Sequence, residues 1–298
     1  MTAEPRKQEI DGRLATCLTA LATDGYAVVP GHLGPATVTD LRARTDALWE
    51  EVKNTPRRGV PERDADDRVV YNLQNKDKHY IDLLVDPLVR GIGMAMLNDP
   101  YYRFLPPDAP NYILGFFNAR CSGRPLDLHI DTNIPTPGDL TWRIQIAFAL
   151  DDMTAANGCT VVVPKSHRSG AFTDRASKDI RPVECKAGDM VVWDSRLWHG
   201  AGANTSGGSR WLIIATLNRW WVKQSSDMTR SLPEDIYQSL SDEQKALLGF
   251  CSLPPRDERE RINIKTGYDQ LKPSVRDYWS TEKLSKIGAE QMALAIQA

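Results

Sequence analysis

The chain is short of the features that would place it outside ordinary globular proteins. Its 298 residues contain only five cysteines (Cys17, Cys121, Cys159, Cys185 and Cys251), odd in number, far apart and without a CxxC pair. That spacing excludes a zinc ribbon and a disulfide framework. The thiols read as reduced, which suits a cytoplasmic protein. No stretch approaches the roughly 20 apolar residues of a membrane span. The opening MTAEPRKQEI is polar, with no apolar run behind its basic pair, so it does not read as a targeting segment. A net charge of -2 leaves no broad basic face for nucleic acid and no acidic tail. There is no internal repeat and no low-complexity tract. What remains is 41% hydrophobic and 26% charged, typical of a globular domain and long enough to bury a sizeable core. The expected partner is therefore a small molecule, with neither nucleic acid nor membrane involved.

The pattern along the chain changes twice. Residues 1–105 read as mostly helical. Val38, Leu41, Leu48 and Val52 share one helical face, and that helix starts after Gly34-Pro35. Tyr26 to Val29 is a short strand ended by Pro30-Gly31. Thr55 to Arg68, with two prolines, is a polar surface loop. Residues 106–222 are different in kind. The runs at 112–120, 143–150, 159–163, 190–193 and 211–217 are short, apolar and β-rich, separated by turn signals such as Pro137-Gly138, Asn157-Gly158 and Gly188-Asp189. With no helical pattern between them, βαβ units are disfavoured. A mainly β fold with flanking helices and a jelly-roll or cupin-like barrel fits best. Residues 223–298 turn helical again, with a capping-box signal at Ser241 to Gln244 and a stop at Gly249. No linker separates this extension, so residues 1–298 read as one domain.

His129-Ile130-Asp131 carries the first chemistry. Residues two apart on a strand point to one face, so an imidazole and a carboxylate here make a two-point metal claw. His199 lies 70 residues after His129, just past the predicted strand at 190–193, which a barrel can bring beside the first. Two histidines and one carboxylate with open positions left over form the facial triad of non-haem Fe(II) oxygenases. By itself the motif has a plain alternative, a surface His129 pairing Asp127 or Asp131 and a turn residue at His199. Arg210 adds weight. It opens the apolar strand WLIIATL, where an arginine is costly without a carboxylate partner. Guanidinium pairs carboxylates through two parallel bonds.

With these residues in view, the chain resembles the phytanoyl-CoA dioxygenase-like (PhyH) branch of the Fe(II)/2-oxoglutarate dioxygenases. The matching stretches are Asp24 to Val29, His129-Ile130-Asp131, Asn157 to Thr160, Val163 to His167, Gly188-Asp189, and Asp194 to Gly200 with Arg210. Their order agrees over roughly residues 20–222. The resemblance implies a double-stranded β-helix core, with His129, Asp131 and His199 as iron ligands. It implies Arg210 as partner of the distal carboxylate of 2-oxoglutarate, with Thr160 as a second contact to that cosubstrate. Fe(II), 2-oxoglutarate and O2 follow as requirements, and oxidation of a C–H bond with release of succinate and CO2 as the reaction. Halogenating members replace the triad carboxylate with a small residue, so Asp131 favours hydroxylation or a related oxidation. The chain departs from the pattern at Lys165, where the family turn often has glycine, and at Ala201, where some members have serine. His167 reads as a structural turn residue.

Substrate contacts are expected from segments beside the iron. Asn72 and Gln74 offer uncharged amides. Asn118 alternates with Tyr112, Leu114 and Phe116, which predicts one shared strand face, and Arg219 suits an anionic group. These point to a polar, carboxylate-bearing small molecule. Two other readings keep the fold: a divalent-metal cupin without 2-oxoglutarate turnover, which gives Arg210 no job, and a non-catalytic binding barrel, for which Asp131 is dispensable.

Overall fold

The computed structural model describes residues 3–55, 67–100, 105, 108–172 and 176–253. Residues 56–66 of the expected polar loop and residues 254–298 of the expected helical extension lie outside the described residues. Helix α1 (Ala3–Asp24) leads into strand β1 (Tyr26–Val29), then α2 (Pro35–Val52), β2 (Asp67–Tyr71), α3 (Lys78–Asp82) and α4 (Pro87–Leu97). The β-rich part follows as β3 (Ile113–Ser122), β4 (Leu126–His129), β5 (Arg143–Ala149), β6 (Thr160–Val162), β7 (Arg181–Pro182), β8 (Met190–Asp194), β9 (His199–Ala201) and β10 (Leu212–Asn218). Three short helices come last: α5 (Met228–Ser231), α6 (Glu234–Ser239) and α7 (Asp242–Leu247).

Local chemistry sets the helix ends. Pro35 sits in the first turn of α2, as its missing N–H allows, and the helix buries Leu41 and Thr45. The Asp86 carboxylate caps α4 by accepting from Leu88 N at 2.9 Å. The expected capping box of α7 is present in both directions: Ser241 Oγ accepts from Gln244 N at 3.2 Å, and Gln244 Oε1 accepts from Ser241 N at 3.0 Å. Gly249 follows at φ +95°, a left-handed stop that glycine takes without strain.

The strands form two antiparallel sheets, one ordered β1-β8-β5-β10-β3-β2 and the other β4-β9-β6-β7. This is the double-stranded β-helix core. Alternation assigns its faces. Ile144, Ile146 and Phe148 of β5 join Ile213, Ala215 and Leu217 of β10 against Leu21, Leu41, Val89 and Ile92 of the helices. The intervening Ala147 and Ala149 turn inward and pack with Val162, Val191, Trp193 and Leu212 between the sheets.

Three expectations need correction. Strand β2 lies within the part expected to be mostly helical, yet it pairs with β3 as an edge strand of the large sheet, Tyr71 opposite Asn118. His199 does not trail strand β8; it opens β9, which belongs to the other sheet. The predicted face of Tyr112, Leu114, Phe116 and Asn118 is split. β10 residues Thr216 and Leu217 are opposite Phe116 and Leu114, so β3 carries one extra residue, Gly115. This bulge keeps Phe116 and Asn118 inside and turns Leu114 and Tyr112 into the helix-side core. A Cβ at position 115 would lie 2.3 Å from the Asn218 amide, which Arg143 Nε holds at 2.8 Å, so a larger residue would have to displace that side chain.

Gly115→Ala should therefore lower stability by about 1–3 kcal/mol through overpacking. It should be read as a lower urea midpoint at unchanged m-value; an unaltered midpoint would show that the bulge has room.

Candidate metal centre

Strand pairing brings His129 and His199 face to face. β4 and β9 run antiparallel with these two residues opposite each other, and their ring centroids are 4.3 Å apart. Asp131 follows β4, where its backbone N–H donates to Ser195 O at 2.8 Å. One ligand atom from each of His129, Asp131 and His199 lies within 4.8 Å of the others, the one such cluster among the described residues.

Each imidazole is fixed by its own strand. His129 Nδ1 donates to Asp127 O at 2.8 Å, and His199 Nδ1 donates to Leu197 O at 2.9 Å. With the proton on Nδ1, the Nε2 lone pairs are free, and they face the carboxylate. His129 Nε2 is 3.7 Å from Asp131 Oδ1, and His199 Nε2 is 3.3 Å from Asp131 Oδ2. Metal-ligating histidines are oriented in this way. Burial works against charge on Asp131, but His199, His129 and a hydrogen bond from Gln145 outweigh it and hold the carboxyl below its ordinary range. The ionised form is the one a cation needs. Burial and the neighbouring His199 push His129 down. Burial also opposes charge on His199, yet Asp131 raises it. The side chain of His199 is 7% exposed and that of His129 37%, so the cluster opens to solvent on the His129 side.

The inward faces of the large sheet complete the surroundings. Trp193, Gln145, Thr216 and Phe116 are opposite one another across β8, β5, β10 and β3. The Gln145 amide reaches Asp131 at 2.8 Å, so this row faces the triad. The next row holds Val191, Ala147, Ile214, Asn118 and Tyr71, and the one beyond it Ala149, Leu212, Arg120 and Val69. Asn118 is thus inside the barrel, 7% exposed and with Oδ1 unpartnered.

Arg210 lies just before β10, at the end of that strand away from the triad, and is 5% exposed. Burial depresses its guanidinium, opposed by Cys121, Cys159 and Asp67 nearby. The following Trp211 is clamped, its N–H on Asp151 Oδ2 at 2.6 Å and its indole on Asp46 Oδ1 at 2.8 Å, which fixes where Arg210 starts. Thr160 opens β6 opposite Ala201 and two residues before Val162, which is opposite His199. By alternation it shares the inward face.

The other expected site residues separate. Gln74 is fully buried with Oε1 unpartnered. Asn72 is held at φ +55°, and its Oδ1 accepts from Ser226 Oγ at 3.2 Å. Arg219 donates through Nε to Thr141 O at 2.6 Å, and through its terminal nitrogens to Leu97 O and Met96 O, both at 3.3 Å. It staples helix α4 to the barrel, and the expected contact with an anion is not what these donors do. His167 is buried outside the triad, under Gly25, whose Cβ would meet the ring at 2.6 Å. Sequence reasoning missed Gln145, Thr216 and Arg120. The available signal was a polar residue set among apolar ones in a strand that reads as buried. Two clefts of about 430 and 310 Å³ lie elsewhere, one by Leu126, Val161 and Ile180, the other by His32, Leu41 and Asp86.

Comparison with known proteins agrees with this geometry. The sequence profile of a family described as Phytanoyl-CoA dioxygenase (PhyH) matches residues 21–211. The chain is 28% identical over 246 residues to "Dioxygenase af480" of Aspergillus fumigatus, covering 78% of this chain and 76% of that protein. It is 30% identical over 257 residues to "Uncharacterized protein Rv1501" of Mycobacterium tuberculosis, covering 83% and 91%. Among solved structures, HygX from Streptomyces hygroscopicus, with nickel and 2-oxoglutarate bound, superposes with a TM-score of 0.57 at 18% identity, covering 70% of this chain and 88% of that one. The epimerase SnoN from nogalamycin biosynthesis gives 0.53 at 20% identity, covering 70% and 84%.

Changing His129, Asp131 or His199 to Ala should each remove most binding of a divalent probe such as Mn(II), followed by isothermal titration. Near-native affinity in two of the three variants would show that the cluster is not a metal site.

Proposed function

The chain belongs to the phytanoyl-CoA dioxygenase (PhyH) family, and from that membership we propose that it holds one Fe(II) on His129, Asp131 and His199 and uses 2-oxoglutarate and O2 to oxidise a C–H bond of a small organic molecule, releasing succinate and CO2. The observation that carries this reading is the pair of imidazoles whose Nδ1 atoms are committed to Asp127 O and Leu197 O while both Nε2 atoms face an ionised Asp131. The donor set of two neutral nitrogens and one carboxylate suits Fe(II) with positions left open. Bound there, iron and 2-oxoglutarate supply the oxygen activation that no side chain can.

The protein's own part is binding, orientation and exclusion of water. Arg210 lies inside the barrel at the far end of β10, where its planar fork suits the distal carboxylate of the cosubstrate. Thr160, on the same inward face, adds a hydroxyl. With Asp131 in its place, hydroxylation or a related oxidation is favoured over halogenation. For the substrate, the buried Asn118 Oδ1 on the inward face is an acceptor without a donor, which fits a molecule bearing hydroxyl or N–H groups. Asn72 and Arg219 make hydrogen bonds within the protein. Two structures of this fold hold small molecules, hygromycin B in HygX and nogalamycin RO in SnoN, which supports the substrate class in its broadest sense.

Anaerobic titration with Fe(II) and then 2-oxoglutarate should raise a weak visible charge-transfer band, and its failure to appear would refute the proposal. Arg210→Ala should cost about 2–5 kcal/mol of cosubstrate binding, as loss of one side of a buried charged pair does, while sparing Fe(II) binding. Arg210→Lys should recover only part, because the fork is lost. An unchanged 2-oxoglutarate KM in Arg210→Ala would sink the role.

A further inference from the structure

Gln145 and Thr216 form a buried relay behind the triad carboxylate. Both residues are 4% exposed. Gln145 Nε2 donates to Asp131 Oδ2 at 2.8 Å, and Thr216 Oγ1 donates to Gln145 Oε1 at 2.7 Å. Their register explains the contact: Thr216 and Gln145 are opposite each other on β10 and β5, on the face that meets Asp131.

A glutamine amide has two ends of opposite sense. Turned one way it donates to a carboxylate; turned the other, its carbonyl oxygen repels the carboxylate. Space alone does not choose, since the two ends are nearly the same size. The ionised Asp131 can only accept, so it takes the nitrogen end, and the Thr216 hydroxyl then donates to the carbonyl end and locks the amide in that sense. A valine there would have the same shape and leave the buried carbonyl without its donor.

We infer that Thr216 and Gln145 are positioning residues that hold Asp131 as a one-oxygen metal ligand through Oδ1. The inference rests on the proposed Fe(II) site. Gln145 occupies a lone pair of Oδ2, which leaves Oδ1, 3.7 Å from His129 Nε2, as the less engaged oxygen. Holding one carboxylate oxygen back would leave more of a bound ion's positions for the keto acid and O2, and the relay would do this without touching substrate or cosubstrate.

The test compares wild type with Thr216→Val, Thr216→Ser and Gln145→Met. Three readings are taken: Mn(II) affinity, the position of the anaerobic Fe(II)·2-oxoglutarate band, and the melting temperature of the metal-free protein. Loss of an outer partner of a ligand typically weakens metal binding about 10–100-fold. Thr216→Val and Gln145→Met should fall in that range and shift the band, while Thr216→Ser should stay near wild type in both. Equal Mn(II) affinity and band position in all four proteins would overturn the relay, as would a Thr216→Ser variant impaired as much as Thr216→Val. If Gln145→Met does not fold, the valine and serine pair still decides. A Mn(II)-loaded crystal structure with Oδ2 on the metal would also overturn it. A wild type that binds no Mn(II) would instead remove the metal site itself, and the relay with it.

Discussion

The buried pair of Asp194 and Arg196 ties together the segments that make the centre. Both side chains are 2% exposed. The pair is two-pronged, with Arg196 Nε on Asp194 Oδ1 at 3.0 Å and a terminal nitrogen on Oδ2 at 2.8 Å. Charges so deeply buried cost several kcal/mol each to desolvate, and only full hydrogen bonding offsets that. Here it is supplied: Thr141 Oγ1 donates to Asp194 Oδ2, and Arg196 reaches Gly138 O at 2.8 Å. The backbone of the same turn does the rest. Asp194 N donates to Gly25 O, Ser195 N to Arg143 O, and Ser195 O receives Asp131 N. The entry to β1, the start of β5 and the turn after β4 therefore converge on one rigid turn, and His199 emerges from it.

Much of this could be read from residue order alone. The apolar strand runs and the capping box of α7 rest on local patterns, which sequence carries directly; the single strand face expected for His129 and Asp131 does not hold, because β4 ends at His129 and Asp131 lies in the turn beyond it. Lys165 holds a left-handed turn, φ +68°, a backbone that glycine takes without strain. What was illegible depends on pairing across the sheet. β9 is three residues long, too short to leave a pattern, so His199 read as a residue past another strand. Asp67 and Arg68, which open strand β2, read as the end of a polar loop because nothing local reveals the strand's partner. The extra residue at Gly115 flipped the faces of Leu114 and Tyr112, and only the register with β10 shows it. Arg219 looked like an anion holder, but its carbonyl partners come from 78 to 123 residues away.

The barrel interior is polar in two zones. Near the triad stand Gln145 and Thr216; toward the start of β10 stand Arg120 and Arg210. Arg120 is paired with Asp67 at 3.3 Å, and its Nε is buried without a partner. Small side chains such as Ala147 and Ala201 lie on the faces between. An apolar core of the same size would be more stable, since polar groups inside a barrel need partners to offset desolvation. They divide into an acid-and-imidazole end and a guanidinium end on one packing scaffold.

The two Nδ1 bonds described at the centre are both made to the carbonyl two residues earlier in the same segment, Asp127 for His129 and Leu197 for His199. Neither needs a residue from elsewhere in the fold. The choice of nitrogen offered to a metal is thus a short-range property of an extended backbone, while the meeting of the two rings is a long-range one. These can change independently. A substitution far from the centre can move the rings apart, yet it leaves each still presenting Nε2, so a disturbed site keeps its chemical identity and loses only its geometry.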